Sequence, residues 1–212
     1  MRRTAEQELA RLELMSRYEA DCRAAGHNFT AGVDEAGRGA LAGPVVAGAV
    51  ILPEDCKIIG VDDSKKLSLR QREARYAEIC AAALAIGIGL RDHRVIDEIN
   101  VLQAANEAMR DAVAALDPVP DVVLVDGYDV PELGVEQLSI VGGDGKSITI
   151  AAASIIAKVT RDRMMQAYHA EFPHYGFDVH KGYPTERHIA ALKKYGPCAI
   201  HRRTFTIKKI RI

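Results

Sequence analysis

The sequence predicts an α/β fold in which helices flank a mixed central β-sheet, with a small helical part at the C-terminus. Two short apolar runs on either side of a glycine-rich loop predict an early β-hairpin, which makes part of the sheet antiparallel. Later strand patterns alternate with helix patterns, as they do where strands run parallel. No long Pro/Gly/Ser-rich linker interrupts the 212 residues, so we expect one domain over residues 1–212.

The N-terminal half contains two capping-box patterns, each of which marks the start of a helix. Thr4 and Gln7 begin an N-terminal helix within residues 1–26, where apolar residues then recur at helical intervals. Ser68 and Gln71 begin a second helix, which we expect to run to about residue 85. Three runs are apolar and β-branched or alternate glycine with apolar residues, and they predict strands at 31–34, 45–52 and 86–90.

The C-terminal half continues the alternation of helices and strands. Apolar residues at helical spacing predict a helix over 102–116, which two prolines end. Apolar runs predict strands at 122–125 and 138–141. A pattern that is apolar nearly all round predicts a long buried helix from 147 to about 172. Pro184 begins the last helix of a helical, basic C-terminal part that covers about residues 173–212.

The composition excludes several classes of protein. The chain is 48% hydrophobic and 27% charged, which is typical of a globular protein. No apolar stretch approaches the ~20 residues that span a bilayer, and the charged N-terminus does not resemble a signal peptide. Four widely spaced cysteines form no zinc-binding pattern. We therefore expect a cytoplasmic protein without membrane contact and with reduced, structural thiols.

The net charge of −1 conceals an uneven distribution along the chain. Residues 151–212 carry 12 Lys/Arg and 4 Asp/Glu, a balance of +8, whereas residues 1–150 have a balance of −9. This asymmetry is typical of a basic surface that binds a polyanion beside an acidic centre. A solvated helical surface without a partner explains it equally well, and charge counting leaves both alternatives open.

Acidic residues stand at the ends of predicted strands or in turns beside glycine. A carboxylate placed just after an apolar strand lies near the core, where an unpaired charge is costly unless a partner or a metal compensates it. Oxygen ligands without nearby His or Cys suit Mg²⁺ or Mn²⁺. Asp126 and Asp144 have an alternative explanation as turn formers. The candidate ligands are Asp34, Glu35, Asp126 and Asp144.

The adjacent pair Asp34–Glu35 raises a geometric problem. Successive side chains of a regular strand point to opposite faces of the sheet, so the two carboxylates cannot share a site there. We expect the strand to stop near Glu35 and the chain to turn at Gly37, which brings both carboxylates to one site.

The loop Gly37-Arg38-Gly39 is not a nucleotide-binding motif of a known kind. Its spacing through Gly43 is G-x-G-x-x-x-G, and a strand rather than a helix follows. A second segment, Gly145-Lys146-Ser147 before the long helix, resembles the end of a P-loop. The first glycine of that motif is missing, because position 140 is Ile140. Glycines can expose backbone N–H groups to a ligand, so we expect the loop to bind a sugar-phosphate backbone. A tight hairpin turn without a ligand is the alternative.

Two further groups of polar residues are candidates for substrate contact. Lys181 and Tyr183 precede the last helix, where they suit a phosphate and a base or sugar; packing is the alternative for the tyrosine. Ser154, Lys158 and Asp162 recur every four residues as one polar stripe on the long apolar helix. We place this stripe behind the metal ligands or against phosphate, and an i,i+4 ion pair is the alternative.

Taken together, these motifs resemble ribonuclease HII, the bacterial type 2 ribonuclease H, over roughly residues 29–205. The matching segments are GVDEAGRG (32–39), LAGPVV (41–46), DSKKLS (63–68), IDEIN (96–100), VDG (125–127), GD (143–144), AASIIAKVTRDR (152–163), FPHYGF (172–177), HKGYPT (180–185) and HR (201–202). The resemblance implies a ribonuclease H-like fold. It also implies an Mg²⁺- or Mn²⁺-dependent endonuclease that cleaves RNA in RNA–DNA hybrids and at single ribonucleotides embedded in duplex DNA.

The resemblance assigns roles to individual residues. It implies that the four candidate carboxylates hold the metal ions. It also implies that residues 37–39 contact the ribose 2′-hydroxyl and the junction backbone, and that Tyr183 packs on the adjoining deoxynucleotide sugar. Arg38 favours this subfamily over ribonuclease HIII, which usually has lysine there. The chain departs from the family at Ala40, where proline is common, and at Gly142, where lysine is common; Lys146 is our candidate to replace that lysine near Asp144.

We therefore expect a monomeric two-metal endoribonuclease that acts in ribonucleotide excision repair and DNA replication. Two bridged divalent ions can activate a water and stabilise the leaving oxygen of a phosphodiester, and cleavage 5′ of a ribonucleotide leaves a 3′-hydroxyl and a 5′-phosphate. The alternatives are a hybrid-binding module without catalysis and a P-loop NTPase, which the mismatch at Ile140 argues against.

Overall fold

A computed structural model describes residues 3–207 and 210–211 of the chain. The first two residues of the predicted N-terminal helical segment and residues 208, 209 and 212 of the predicted basic C-terminal part lie outside the described residues.

A five-stranded mixed sheet forms the centre of the structure, with the strand order β3-β2-β1-β4-β5. β1 pairs antiparallel with β2, and β2 pairs antiparallel with β3, which confirms the predicted hairpin around the glycine-rich loop. β1 and β4 pair in parallel, as do β4 and β5. The strands are β1 Thr30–Ala36, β2 Val45–Ile51, β3 Ala85–Arg91, β4 Val122–Asp126 and β5 Glu136–Ile140.

The described part of the chain contains eight helices. They are α1 Ala5–Met15, α2 Arg17–Ala24, α3 Leu69–Ala82, α4 His93–Ile99, α5 Val101–Ala114, α6 Ile148–Glu171, α7 Phe177–His180 and α8 Glu186–Tyr195. Short 3₁₀ turns occur at Gly143–Gly145 and Pro173–Tyr175, and two short strands, β6 Thr206–Ile207 and β7 Ile210–Arg211, pair antiparallel after the last helix. Both predicted capping boxes are present, at Thr4 and at Ser68.

The helices differ from the prediction in several places, and at three of them a local side-chain hydrogen bond is present. The N-terminal helix is divided at Ser16, whose hydroxyl donates to the Leu12 carbonyl. An additional helix, α4, begins because the Asp92 carboxylate accepts from two backbone N–H groups of its first turn. The last helix begins after Thr185, which caps it, and not at Pro184.

Glycines in the sheet allow helices to approach closely on both of its faces. A Cβ at Gly87 or Gly89 would overlap backbone carbonyls of α5, and a Cβ at Gly32 or Gly48 would overlap the backbone of α6. The apolar side chains of α5 and α6 complete a core on either side of the sheet. Because α6 lies directly on β1, its polar stripe faces the end of that strand.

Candidate active site

Three carboxylates meet where β1 and β4 end. Val33 of β1 pairs with Val125 of β4, so the same register places Asp34 beside Asp126 on the neighbouring strand. Asp144 reaches the pair from the 3₁₀ turn after β5. One oxygen from each carboxylate lies within 4.8 Å of the others. We call Asp34, Asp126 and Asp144 the carboxylate cluster.

The cluster lies on the sheet face that α6 covers. Leu124 packs against Ile150 of α6, and side chains alternate along β4, so Asp126 two residues later faces α6 as well. Gly143 donates its backbone N–H to Asp126 Oδ1 at 2.7 Å, which fixes the Asp144 turn against the end of β4.

The electrostatics of the cluster favour a bound cation. Burial, and then the charges of Glu35 and Asp126, raise the pKa of Asp34 well above its ordinary value. Burial and the charge of Asp144 raise the pKa of Asp126. Asp34 Oδ2 is buried and has no hydrogen-bond partner among the described residues. An unsatisfied carboxylate oxygen among oxygen-only donors is suited to a hard divalent ion such as Mg²⁺ or Mn²⁺.

Glu35 lies differently from the expectation. β1 ends at Ala36, one residue beyond Glu35, and the chain turns at Gly37, whose φ is 101°, both as predicted; the strand pairing, however, stays regular through Glu35 and Ala36. Strand alternation therefore directs Glu35 to the face opposite Asp34. Its carboxylate accepts from Arg38 Nη1 at 3.1 Å instead of joining the three-residue cluster. Burial raises the pKa of Glu35, against the opposing effect of the Arg38 charge.

A cavity of about 540 Å³ opens beside the cluster and brings most of the predicted site residues together. The glycine loop, which we define as residues 37–43, contributes its first three residues to the rim, and Tyr183 approaches from the C-terminal part. Both Asp34 and Glu35 line the cavity, so the two adjacent carboxylates reach one space from opposite faces of the strand end. The lining is Asp34, Glu35, Ala36, Gly37, Arg38, Gly39, Ser64, Lys65, Arg72, Asp126, Ser154, Lys158 and Tyr183.

The polar stripe of α6 forms an ion-pair network at the cavity wall. Lys158 Nζ lies 2.7 Å from Asp162 Oδ1, the i,i+4 pair that the sequence left as an alternative. Asp162 Oδ2 also accepts from Arg72 of α3 at 3.1 Å. Ser154 shares a hydrogen bond of 2.9 Å with Ser64. Lys158 and Ser154 line the cavity, whereas Asp162 lies behind them.

Lys65, which was not among the predicted site residues, lies at the cluster. Lys65 Nζ donates to Asp144 Oδ2 at 3.2 Å, from the loop before α3. Burial alone would lower the pKa of Lys65, but the charges of Asp34 and Asp144 raise it. Lys146, our candidate for this position, instead donates to the Val141 carbonyl at 2.7 Å. The only sequence signal for Lys65 was the family-like segment DSKKLS at 63–68.

Two residues of the C-terminal part were predicted to contact the substrate, and only one of them, Tyr183, lines the cavity. Lys181 does not line the cavity, and its ammonium donates to the Asp178 carbonyl at 2.6 Å. Tyr183 does line it, with the Lys158 ammonium 5.4 Å from its ring centroid.

A buried chain of neutral histidines holds the Tyr183 backbone. His188 Nδ1 lies 3.0 Å from the Tyr183 carbonyl and must donate, since a carbonyl only accepts. Its Nε2 is then an acceptor and receives the Nε2–H of His201 at 3.0 Å. His201 Nδ1 in turn accepts from the Cys198 backbone N–H at 2.9 Å. Burial lowers the pKa of His188 to about 4 and that of His201 to about 3, so both rings are neutral near pH 7.

Comparison with known proteins agrees with this geometry. The family model described as Ribonuclease HII matches residues 31–208. The chain belongs to the ribonuclease HII family. These enzymes are endonucleases of the ribonuclease H class, they act on RNA–DNA substrates, and they depend on divalent metal ions.

Curated ribonuclease HII proteins resemble the chain over most of its length. The protein of Acetivibrio thermocellus is 53% identical over 201 residues, which are 95% of this chain and 78% of that protein. The protein of Geobacter metallireducens is 56% identical over 180 residues, which are 85% of this chain and 84% of that protein. The match begins upstream of β1 in the first case and so includes much of the N-terminal helical region.

Solved structures establish the ribonuclease H-like fold. The ribonuclease HII in a PCNA complex from Archaeoglobus fulgidus superposes with a TM-score of 0.72 at 29% identity, covering 86% of this chain and 97% of that chain. Ribonuclease H2 of Pyrococcus horikoshii OT3 has a TM-score of 0.70 at 30% identity, covering 84% and 93%. Among the described residues, each helix is too short or too polar to cross a membrane.

Proposed function

We propose that the chain hydrolyses the RNA strand of RNA–DNA hybrids and cleaves 5′ of ribonucleotides embedded in duplex DNA, leaving 3′-hydroxyl and 5′-phosphate ends. One observation carries the proposal. The carboxylate cluster, with its unpartnered Asp34 oxygen, adjoins a cavity that the glycine loop and Tyr183 also line. Groups that suit a divalent ion and groups that suit a sugar-phosphate backbone therefore face the same space.

The metal ligands in this proposal are the cluster and Glu35. Asp34, Asp126 and Asp144 would hold two Mn²⁺ or Mg²⁺ ions, and Glu35 is a fourth ligand at the same cavity. When bound, such ions activate water and stabilise the leaving oxygen of a phosphodiester. Lys65, beside Asp144, is placed to meet the negative charge of a phosphate.

The remaining cavity residues position the nucleic acid. The loop Gly37-Arg38-Gly39 contacts the ribose and the adjoining backbone, and Tyr183 packs on the next sugar. Ser154, Lys158 and Asp162 support this surface from α6. Lys181 stays a predicted phosphate contact, although its ammonium here donates within its own turn.

The test is cleavage of an end-labelled DNA duplex that carries one ribonucleotide, in parallel with an all-RNA/DNA hybrid. We expect cleavage with Mn²⁺ or Mg²⁺, none with EDTA, and product ends that accept ligation as 3′-hydroxyl and 5′-phosphate. Asp34→Asn should lower the rate by roughly 10²–10³-fold, the range seen when one charge-stabilising group is lost from an enzyme site. Asp55→Asn, at an exposed position outside the cavity, is the matched control.

Two outcomes would contradict the proposal. Cleavage by Asp34→Asn at the wild-type rate would exclude the carboxylate mechanism. Tight hybrid binding by the wild-type protein without cleavage under either metal would identify a binding module instead.

We further propose that residues 1–212 act as one catalytic domain, as a monomer, in the cytoplasm, without a membrane partner. In this setting the substrates are hybrids and ribonucleotides left by DNA replication, and the pathway is ribonucleotide excision repair. The similarity to ribonuclease HII proteins over most of their length supports this setting. Sedimentation at the concentrations used for cleavage tests the monomer, and a dimer mass there would contradict it.

A further inference from the structure

Two arginines lie fully buried beneath the glycine loop. Arg161 of α6 and Arg202 near the C-terminus are both 0% exposed. Neither forms an ion pair with a carboxylate in the part of the chain that the structure describes. Burial and the charge of Arg161 lower the pKa of Arg202 to about 9, so it keeps its charge at neutral pH. A buried, unpaired charge is costly, so its retention here needs an explanation.

Arg202 binds carbonyls at both ends of the glycine loop. Its Nη2 donates to the Gly37 carbonyl at 2.8 Å, and its Nη1 donates to the Arg38 carbonyl at 2.9 Å. Its Nε and Nη2 also donate to the Gly43 carbonyl, at 3.1 and 3.0 Å. One planar guanidinium therefore connects the first and last residues of the loop through hydrogen bonds.

Arg161 connects the same loop to the segment that carries Tyr183. Its Nε donates to the Pro44 carbonyl at 2.8 Å, and its Nη2 donates to the Ala42 carbonyl at 3.1 Å. Its Nη1 donates across to the Lys181 carbonyl at 2.9 Å. The guanidinium carbon also lies 5.3 Å from the centroid of the Tyr183 ring.

These bonds determine where the amides of the loop point. In a trans peptide group, the C=O and the N–H that follows point in opposite directions. The Gly37 and Arg38 carbonyls point inward to Arg202, so the N–H groups of Arg38 and Gly39 point away from it. Within the described residues neither amide has a hydrogen-bond acceptor, and both residues are exposed at the cavity. The buried positive charge behind them polarises the peptide groups and makes the amides stronger donors.

We infer that Arg161 and Arg202 are positioning residues for the substrate. Without touching it, Arg202 holds the Arg38 and Gly39 amides ready for an acceptor oxygen of the ribonucleotide's sugar-phosphate backbone. Arg161 links the loop to the segment that carries Tyr183 and so positions that ring relative to the loop. The inference rests on the proposed function, because it assigns this acceptor chemistry to the same cavity. Lysine cannot reproduce this arrangement at either position, since its donors sit on one nitrogen, whereas each guanidinium here uses three separate nitrogens to bind carbonyls.

A direct test uses the unmodified protein. In EDTA, which prevents cleavage, ¹⁵N–¹H spectra are recorded during titration with a DNA duplex that carries one ribonucleotide and with the all-deoxy duplex. The amides of Arg38 and Gly39 should shift more with the ribonucleotide. The inference is overturned if these two amides do not respond to either duplex.

A second test compares Arg202→Lys and Arg161→Lys with Arg163→Lys, an exposed arginine on the same helix as Arg161. We expect each buried variant to raise KM for the one-ribonucleotide duplex by about tenfold or more, as loss of charged hydrogen bonds predicts, with a smaller change in kcat. Mn²⁺ affinity, measured by calorimetry, should stay within twofold of wild type. Arg163→Lys should leave KM unchanged.

The outcomes separate this inference from the proposed function. A wild-type protein that does not cleave contradicts the proposed function, while the amide shifts still test the orientation of the loop. A cleaving wild type together with a folded Arg202→Lys of unchanged KM and unchanged amide shifts contradicts the positioning role alone. If both lysine variants fail to fold, the titration of the wild-type amides decides.

Discussion

At the scale of single residues, Asp34 combines a buried position with unfavourable surroundings. It is 3% exposed, it faces two other carboxylates, and one of its oxygens has no hydrogen-bond partner among the described residues. Such a group reduces the stability of the metal-free protein. A buried carboxylate in such surroundings is suited to binding a cation.

Replacing Asp34 with asparagine should therefore stabilise the metal-free protein. A carboxylate whose folded pKa is raised holds its proton more tightly in the folded state, so stability falls as pH rises from its ordinary value through the raised one. Above that window, Asp34→Asn should gain about 1.4 kcal/mol for each unit by which the pKa is raised. Urea unfolding at pH 8 in EDTA measures the gain, and an equally stable or less stable variant would contradict it.

The buried histidine chain predicts a pH dependence of the opposite sign. The pKa of His188 falls from 6.5 to about 4 on folding, so the unfolded state takes up a proton first. The stabilisation is complete above pH 6.5 and is lost as pH falls toward 4. His188→Asn removes the titrating ring but can still donate to the Tyr183 carbonyl. Between pH 6.5 and 4, the free energy of unfolding of this variant should fall less steeply than that of wild type, with a difference of about 1.4 kcal/mol for each pH unit.

Urea unfolding of both proteins at several pH values between 7 and 4.5 measures this difference. Both proteins contain the same carboxylate cluster, so the comparison cancels its opposing contribution. If the free energy of unfolding depends on pH in the same way for both proteins, the His188 ring does not titrate as its buried environment predicts.

At the scale of elements, α5 packs closely on β3 because the strand has glycine, with no side chain, at the positions that face the helix. The strand alternates glycine with larger residues, and the glycines face the carbonyls of Ala108 and Ala112 on the helix. The alternation itself was visible in the sequence and correctly predicted a strand. Which helix approaches it was not visible, because periodicity does not specify partners.

Gly89→Ala should destabilise the protein although alanine suits a strand better than glycine does. The new methyl group would overlap the Ala108 carbonyl and force the helix away, at a cost of about 1–3 kcal/mol. The control is Gly145→Ala, where a Cβ meets only the end of the flexible Lys66 side chain. Thermal unfolding compares the two, and equal melting temperatures would contradict the close approach.

At the scale of the whole molecule, the site is assembled from distant segments. β1, the end of β4 and the turn after β5 supply the carboxylates, α3 and its preceding loop supply cations, and the C-terminal part supplies Tyr183. Because an ion that binds the cluster would bind only the folded chain, its affinity contributes directly to stability.

Mn²⁺ should therefore raise the melting temperature of the whole chain. At a concentration 100 times its Kd, one bound ion stabilises the folded state by about 2.7 kcal/mol. Asp34→Asn should lose most of this increase, and EDTA should abolish it in wild type. Calorimetric scans with and without metal check the expectation, and an equal increase in the variant would place the ion elsewhere.

The sequence by itself determined the α/β class, most strands and helices, both capping boxes and the carboxylates of the cluster. These features depend on local periodicity and on residue chemistry, which can be recognised without knowing the partners. The helix boundaries predicted from the sequence were wrong where a side chain forms a hydrogen bond with the nearby backbone, as at Ser16 and Asp92.

Only the tertiary structure decided how the adjacent carboxylates of β1 are used. A strand must alternate its side chains, so Asp34 joins the cluster, while Glu35 reaches the same cavity from the other face and pairs with Arg38. Likewise, the contacts of Lys65, Arg161 and Arg202 depend on segments that are distant in sequence. Charge and burial act through space, and one chain position does not record which groups folding brings beside it.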